Sequence, residues 1–259
     1  MTDQQFMRTE MLLGQERMKR LSACRVAVFG LGGVGGYAAE ALARSGIGAL
    51  DLIDPDVIAL SNLNRQILAL HSTLGVGKAE AAKDRIADIA PNCYVRIYPL
   101  FYLPDTADQL NFSDYDYIID AIDTVTGKLT IAEKAKEAGI PLLSVMGTGN
   151  KLDPTKLTVA DLYETEACPL AKVMRRECRK RGIEKLKVVY STEKPIKPVK
   201  PAEEISEEDA PDPDARQKEE QESEGAKRRK DVPGSTAFVP GAAGLIAASV
   251  VIRELSGLS

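Results

Sequence analysis

Residues 24–36 read CRVAVFGLGGVGG and form the most informative stretch of this sequence of 259 residues. The apolar run at 26–29 predicts a strand that leads directly into a glycine-rich turn. Small residues over 37–43 then predict a helix, and a second apolar run ends at Asp54. Strand, glycine turn, helix, strand and acid in this order are typical of a site that holds an adenine nucleotide.

The glycines of the turn have separate tasks. Gly30 allows the chain to turn tightly, Gly32 lets a phosphate approach the backbone, and Gly35 lets the helix pack close to the sheet. Together with Gly33 they form a predicted phosphate cradle, because the free N–H groups at a helix start favour an anion. Asp54 can accept hydrogen bonds from ribose hydroxyls. The stretch predicts a nucleotide, with NAD(P) and FAD as the commonest ligands of this motif, and it leaves the chemistry open.

Composition sets limits on the class of protein. Hydrophobic residues make up 44% of the chain, which is enough for a substantial core. Residues 1–19 are polar and charged, so we expect no secretory signal and a cytoplasmic protein. The longest apolar stretch, 237–252, is interrupted by proline and glycine, so we expect a packed helix in place of a stable membrane span.

The cysteines and the single histidine argue against several kinds of site. Cys24, Cys93, Cys168 and Cys178 form no C-x-x-C pair, which argues against a structural zinc site. We expect Cys24 and Cys93 in the core, and Cys168 and Cys178 accessible within a charged helical segment. His71 is the only histidine, which argues against a histidine-based triad and against a site with several histidine ligands.

Strand and helix patterns alternate up to residue 145. Helices are predicted over 78–89 and 127–138, and strands over 94–100, 115–120 and 141–145. Repeated βα units predict an α/β fold that is Rossmann-like and doubly wound, with a mostly parallel sheet and helices on both faces. Ligands bind beyond the carboxyl ends of strands in such sheets. Gly30, Asp54 and residues 120–123 should therefore converge on one crevice.

The remainder of the chain has a different character. A strand is predicted over 157–162, a basic helix over 168–182 and an apolar closing helix over 241–255. The basic helix carries six cations, which make it a candidate for contact with an anionic partner: Lys172, Arg175, Arg176, Arg179, Lys180 and Arg181. Segment 193–231 is rich in proline, acids and lysine, and we predict a disordered loop there. We expect residues 1–259 to form a single domain.

Polar residues follow the second strand directly. Asp56 comes two residues after the strand-end acid, and Asn62, Asn64, Arg65 and Gln66 follow within ten more. Asparagine amides and an arginine fork suit phosphate oxygens, whereas a dehydrogenase needs little after its ribose acid. These residues therefore favour ATP over a nicotinamide cofactor.

Two charged residues complete the predicted site. Lys78 begins a helix, from which its ammonium can reach phosphates, and Asp123 ends a strand across the crevice. A carboxylate that faces a triphosphate is repelled unless Mg²⁺ lies between them. The set predicts ATP and Mg²⁺ as cofactors, with Asp123 as the metal ligand.

These motifs in combination resemble a known family. Five motifs are similar to those of the adenylation domain of E1-like enzymes, the ThiF/MoeB/HesA superfamily. They are GLGGVG (30–35), DPD (54–56), SNLNRQ (61–66), VGK (76–78) and DAID (120–123). The similarity covers roughly residues 8–145, and 241–255 resembles the closing helix of that domain. The resemblance implies adenylation of a carboxylate with ATP and magnesium.

The resemblance also implies roles for individual residues. Asp54 would hold ribose, Asn62, Arg65 and Lys78 would hold phosphates, and Asp123 would hold the metal. Members of the superfamily are usually homodimers in which an N-terminal arginine enters the partner's site. Arg8 matches that arginine best, and Arg17 is a second candidate. The predicted catalytic residues are therefore Arg8, Arg65, Lys78 and Asp123.

Within the superfamily, two stretches and the absence of zinc cysteines indicate the subgroup. Residues 33–48 (GVGGYAAEALARSGIG) and 168–171 (CPLA) resemble the tRNA threonylcarbamoyladenosine dehydratases. Such enzymes adenylate the carboxylate of threonylcarbamoyladenosine in tRNA, and the ureido nitrogen then closes a ring. The resemblance implies a tRNA substrate, with the basic helix as a candidate contact.

Three alternatives stay open. The first is activation of a ubiquitin-like sulfur-carrier protein, with Cys168 or Cys178 carrying a thioester or persulfide. The second is an NAD-dependent dehydrogenase, which leaves Arg65, Lys78 and Asp123 without a task. The third is a scaffold that binds ATP without turnover.

Overall fold

The computed structural model of the protein describes residues 4–199 and 233–258. Across these residues, seven strands form one sheet in the order β3-β2-β1-β4-β5-β7-β6, and only β6 runs antiparallel. The strands are β1 (Arg25–Phe29), β2 (Ala49–Ile53), β3 (Tyr94–Tyr98), β4 (Tyr117–Asp120), β5 (Leu142–Val145), β6 (Leu157–Asp161) and β7 (Lys187–Ser191). The predicted α/β class with a mostly parallel sheet is confirmed.

Helices cover both faces of this sheet. They are α1 (Met7–Leu13), α2 (Gln15–Leu21), α3 (Gly35–Arg44), α4 (Lys78–Ile89), α5 (Val125–Ala138), α6 (Pro169–Lys180) and α7 (Phe238–Ser256). Side chains alternate along β1, so Val26 and Val28 pack with α3, α4 and α7 on one face. Ala27 and Phe29 pack with α5 on the other face. Because β1 is covered on both sides, its central position requires the unbroken apolar run seen in the sequence.

The winding of the chain reverses between β1 and β4. From β1 the chain proceeds outward to β2 and β3, and it then crosses to β4 and β5 on the other side of β1. This reversal places the carboxyl ends of β1 and β4 side by side, with Phe29 paired to Asp120. A crevice at such a reversal is the usual ligand site of a doubly wound sheet.

The closing helix α7 is part of the core. Among the described residues, it alone has the length and apolar composition of a membrane-crossing helix, and 56% of its most apolar window is buried in the fold. It lies very close to α3, since a Cβ at Gly244 would stand 2.3 Å from the carbonyl oxygen of Val34. The prediction of a packed helix here is confirmed.

The prediction for two cysteines is wrong, and one strand was missed. Cys168 and Cys178 were expected to be accessible, but only 6% and 0% of each is exposed. The helix α6 has an apolar side formed by Ala171, Met174 and Cys178, which packs against α5 and β7. Its many cations conceal this spacing of three and four residues in the sequence. Strand β7 was also not predicted, because its apolar run is only Val188–Tyr190 between charged and polar segments.

The N-terminal helices α1 and α2 were likewise not predicted. Of the segment predicted to be disordered, residues 193–199 contain no helix or strand. The rest of that prediction lies outside the described residues.

Candidate active site

The glycine turn is fixed by close contacts that exclude side chains. Gly30 has a φ of 84°, and a Cβ there would lie 2.9 Å from the carbonyl carbon of Ala121. A Cβ at Gly35 would lie 1.7 Å from the carbonyl oxygen of Gly30. The start of α3 therefore packs directly on the turn, and the turn packs directly on the segment that follows β4.

Gly32 differs from its neighbours because it faces open space. Among the described residues other than its chain neighbours, the only atom within 4 Å of a Cβ at this position is Nε2 of Gln66, at 3.9 Å. Gln66 is only 7% exposed, and its Oε1 has no hydrogen-bond partner among the described residues. A buried amide oxygen without a partner is costly and calls for a donor from a ligand or water. The space at Gly32 thus has the properties of a cradle that accepts a polar ligand.

Two carboxylates and an ammonium lie at the end of β2. Asp54 is 5% exposed, and it accepts the N–H of Leu31 at 2.6 Å and that of Asp56 at 2.9 Å. Lys78 begins α4, and its Nζ lies 3.9 Å from Asp54 and 2.5 Å from Asp56. Burial raises the pKa of Asp54 above its ordinary value, and Lys78 with the two N–H donors opposes that shift.

Asp54 therefore links β2 to the glycine turn. A carboxylate offers about four lone-pair sites, so acceptors remain after the two backbone bonds, and the contact with ribose stays a prediction. Asp56 has 60% of its side chain exposed, which leaves it open to a ligand.

The asparagine and arginine side chains form a connected set beside the turn. Asn62 Oδ1 accepts the N–H of Ala59 at 3.1 Å and so shapes the local helical turn. Arg65 Nη1 donates to Ser61 O at 2.8 Å and to Asn64 Oδ1 at 3.0 Å. The guanidinium thus keeps several donors for a ligand, because it has five in all.

A segment that sequence reasoning missed lies against this set. Asn64 Nδ2 donates to Ser235 O at 3.0 Å, just before α7 begins. Asn150 holds the same segment, since its Oδ1 accepts the N–H of Gly234 at 2.7 Å and its N–H donates to Gly234 O at 2.7 Å. Asn150 adopts a φ of 59°, in the left-handed region. No short-range pattern connects residue 64 with residue 235, so the contact is visible only in the fold.

Asp123 occupies the exposed position of the loop after β4. The loop begins at Ala121, whose backbone contacts Gly30, and it ends at the start of α5. Directly beneath it, the fully buried Asp120 and Lys128 form an ion pair at 3.0 Å. Sequence reasoning placed Asp123 at this edge of the sheet but overlooked Lys128. The available signal was a lysine among the apolar residues that follow Gly127.

The predicted residues outside the crevice lie on α1, α2 and α6. Arg8 is exposed on α1, and Arg17 donates to Leu13 O at 3.0 Å from α2. On α6, Arg175 is directed inward and donates to Thr165 O at 2.6 Å. Glu177 forms ion pairs with three other cations of that helix, Arg176, Lys180 and Arg181. Only part of the basic helix is thus free for a partner.

The residues fit ATP and a magnesium ion. The open space at Gly32 and the cations Arg65 and Lys78 suit phosphate groups, whereas the unpaired oxygen of Gln66 suits a hydroxyl or amino donor of the nucleotide. Among residues 4–199 and 233–258, no group of three or more His, Cys, Asp or Glu side chains could hold a metal ion. Magnesium bound with a nucleotide needs only one or two carboxylates besides the phosphates. One exposed carboxylate is therefore enough on the protein side, and the role of Asp123 as that ligand stays a prediction.

Comparison with known proteins decides the family. A match to the ThiF family covers residues 4–259. The chain belongs to the ThiF family. Among its ThiF-family relatives, tRNA threonylcarbamoyladenosine dehydratase of Bacillus subtilis (strain 168) is 42% identical over 254 residues, which is 97% of this chain and 94% of the relative.

A solved structure extends this likeness to the fold. The crystal structure of E. coli tRNA N6-threonylcarbamoyladenosine dehydratase in complex with ATP matches with a TM-score of 0.82 at 31% identity, over 98% of this chain and 94% of that one. A more distant ThiF-family relative is the probable adenylyltransferase/sulfurtransferase MoeZ of Mycobacterium tuberculosis. It is 37% identical over 129 residues, which is 50% of this chain and 33% of the relative. The ATP-bound relative favours ATP over the dinucleotide alternative.

Proposed function

We propose that this ThiF-family protein is an ATP-dependent tRNA threonylcarbamoyladenosine dehydratase. The observation that carries the proposal is the likeness to the Bacillus subtilis dehydratase at 42% identity over 94% of that enzyme's length. Residues 1–259 then form one adenylation domain.

ATP would lie across the carboxyl ends of β1, β2 and β4. The cradle consists of Gly30, Gly32, Gly33 and Gly35, and Asp54 and Asp56 stand near the ribose. Around the phosphates stand Asn62, Asn64, Arg65 and Lys78, and Gln66 stands beside a donor group of the nucleotide. The open space at Gly32 supports the place of the phosphates, and the unpaired Gln66 oxygen supports a donor group beside it. Mg²⁺, bound by Asp123 and phosphate oxygens, would neutralise negative charge there.

The reaction needs positioning and charge stabilisation and no protein nucleophile. A carboxylate oxygen of the substrate attacks the α-phosphorus of ATP, the bond between the α-phosphorus and its bridging oxygen breaks, and pyrophosphate leaves. The ureido nitrogen then attacks the activated carbonyl carbon and loses its proton, and AMP leaves with the former carboxylate oxygen. The nucleoside loses one water in total. Arg65 and Lys78 stabilise charge that develops on the phosphates.

We expect a homodimer in which Arg8 completes the partner's site. Large apolar side chains are exposed on two parts of the surface, which is typical of an interface. Met7, Met11 and Leu12 lie on α1, and Leu12 is 86% exposed. Val57 and Leu60, which lie between β2 and α4, are 58% and 59% exposed.

The tRNA contact would use the free cations of α6. Lys172 and Arg179 are exposed and form no ion pair with the described carboxylates, although Arg179 lies 5.3 Å from the ring of Tyr163. Arg175 is excluded from this role by its bonds to Thr165. Cations of this kind bind RNA phosphates without reading sequence. A tRNA substrate also agrees with a cytoplasmic location.

Activation of a ubiquitin-like sulfur carrier is the second candidate, because MoeZ is a relative. A thioester or persulfide on Cys168 or Cys178 is disfavoured, because both cysteines are buried. Burial also raises the pKa of the Cys178 thiol to about 11. A thiol with that pKa is protonated at neutral pH and is a poor nucleophile. ATP–pyrophosphate exchange that depends on a protein ending in Gly-Gly would favour this candidate.

Nucleoside analysis tests the two candidates. The protein is incubated with ATP, Mg²⁺ and tRNA that carries threonylcarbamoyladenosine, and the digest is separated under conditions that preserve the cyclic form. The proposal predicts a product lighter by one water, equal in a Cys168→Ser variant. An unchanged nucleoside would contradict it.

A further inference from the structure

Three buried polar side chains lie beneath the loop that carries Asp123. Asp120 ends β4, Lys128 lies in the first turn of α5, and Ser144 lies in β5; each is 0% exposed. Lys128 Nζ donates to Asp120 Oδ2 at 3.0 Å, Ser144 Oγ at 3.3 Å and Val145 O at 2.7 Å. An ammonium has three donors, so each donor has an acceptor.

Asp120 is equally well satisfied. Its Oδ2 accepts the Ser144 hydroxyl as well as Lys128, and its Oδ1 accepts the N–H of Ile122 at 3.3 Å. The Asp120–Lys128–Ser144 cluster therefore joins the end of β4 to the start of α5. Residues 121–124 form the short loop above this junction, and Asp123 is part of that loop.

The loop is also held from both sides. A Cβ at Gly127 would lie 2.6 Å from Cδ1 of Ile122 and 2.9 Å from Oγ1 of Thr124, so α5 packs tightly against it. On the opposite side, Ala121 contacts the glycine turn at Gly30. Of the four residues 121–124, only Asp123 is exposed. Its carboxylate is thus the free part of an otherwise fixed loop.

Stability alone is a weak reason for this arrangement. Taking two charges out of water is costly, and packed apolar residues often replace a buried ion pair without loss. The location gives a better reason, because a displaced loop would displace Asp123. We propose that Asp120 and Lys128 are positioning residues that fix the Asp123 carboxylate relative to the metal ion. This rests on the proposed function only in that Asp123 binds Mg²⁺ there.

The test is binding of a fluorescent ATP analogue during titration with MgCl₂, which requires neither tRNA nor turnover. The double variant Asp120→Asn/Lys128→Met removes both charges and keeps the volume similar. Lys134→Met is the matched control, since Lys134 lies on α5 with its side chain 36% exposed in an ion pair with Asp108.

The Mg²⁺ concentration for half-maximal binding should rise about tenfold in the double variant, the usual loss when the support of a metal ligand is removed. Nucleotide binding without Mg²⁺ should be unchanged, and Lys134→Met should match the wild type. Asp123→Ala should raise the Mg²⁺ concentration for half-maximal binding by a smaller factor in the double variant than in the wild type. The two effects are not additive because both act on the same metal ligand.

A wild-type Mg²⁺ response in the folded double variant overturns the proposal. If circular dichroism shows that this variant is unfolded, Ser144→Ala is measured instead. A higher Mg²⁺ concentration for half-maximal binding then supports the proposal, and a wild-type concentration overturns it. If wild-type protein binds nucleotide without any Mg²⁺ effect, the metal role of Asp123 and this inference both fail. If it responds to Mg²⁺ but leaves tRNA unmodified, only the proposed dehydratase function fails.

Discussion

Gly32 and Gly35 lie three residues apart and give opposite expectations for the same substitution. Gly35→Ala should prevent folding, because the new Cβ would stand 1.7 Å from a backbone oxygen that cannot move independently. Gly32→Ala should fold normally, since its Cβ meets only a side-chain atom at 3.9 Å. It should nevertheless weaken ATP binding by about tenfold or more, because the added methyl group would occupy space that a phosphate needs. A tenfold loss of affinity corresponds to about 1.4 kcal/mol of binding free energy.

Thermal melting and titration with a fluorescent ATP analogue check both expectations. Gly32→Ala protein that melts as the wild type but binds ATP poorly supports the cradle. Wild-type affinity in that variant would place the phosphates elsewhere.

Asp123 is the second residue whose role is open to a direct test. Asp123→Ala should lower ATP turnover by about a hundredfold or more, because the metal ion that Asp123 would hold neutralises negative charge at the reacting phosphate. The fold should survive, since the side chain is exposed. ATP–pyrophosphate exchange with modified tRNA measures the effect, and Asp88→Ala on the exposed side of α4 is the control. Turnover equal to the wild type would refute the assignment of the metal.

At the scale of elements, α6 combines a buried side with a basic one. Lys172→Gln should weaken tRNA binding similarly for all tRNAs and lower the slope of log K against log salt by about 0.7–0.9, since one phosphate contact is lost. Lys83→Gln, an exposed lysine on α4, should change neither quantity. Filter binding at several salt concentrations provides the numbers, and equal slopes for Lys172→Gln and wild type would exclude α6 from the interface.

The elements that could be predicted from sequence are those with a strong local pattern. β1, β2, α3 and α4 were found because an apolar run or a periodic helix face is visible within ten or so residues. β7 was missed because three apolar residues between charges are too short to distinguish from a loop. The inward position of Cys178 was missed because the charges of α6 outnumber the residues of its apolar side.

The candidate site divides in the same way. Gly30, Asp54 and Asp123 were predicted to meet because parallel strands bring their carboxyl ends to one edge, and the strands that precede them, β1, β2 and β4, are neighbours in the sheet. The contact between Asn64 and Ser235 joins residues 171 positions apart, and the partners of Lys128 lie on two strands. Such pairings depend on the whole sheet, so no local pattern contains them.

At the scale of the whole molecule, the expected homodimer can be tested by complementation. Arg8→Ala and Asp123→Ala are each expected to be inactive for different reasons. In a mixed dimer, one site keeps its own Asp123 and receives Arg8 from the partner. Equal mixing should therefore restore about a quarter of wild-type activity, since half of the dimers are mixed and each has one intact site. Mixed dimers that are isolated by tags and remain inactive would exclude an arginine acting in trans.

In the proposed reaction, ATP activates the substrate carboxylate through its α-phosphate. The direct measurement follows oxygen-18 from the threonine carboxylate of modified tRNA during one turnover with ATP and Mg²⁺. Mass spectrometry of the released nucleotide should show AMP heavier by two mass units, because the carboxylate oxygen departs on the phosphate. Unlabelled AMP, or ADP with labelled inorganic phosphate, would contradict the account.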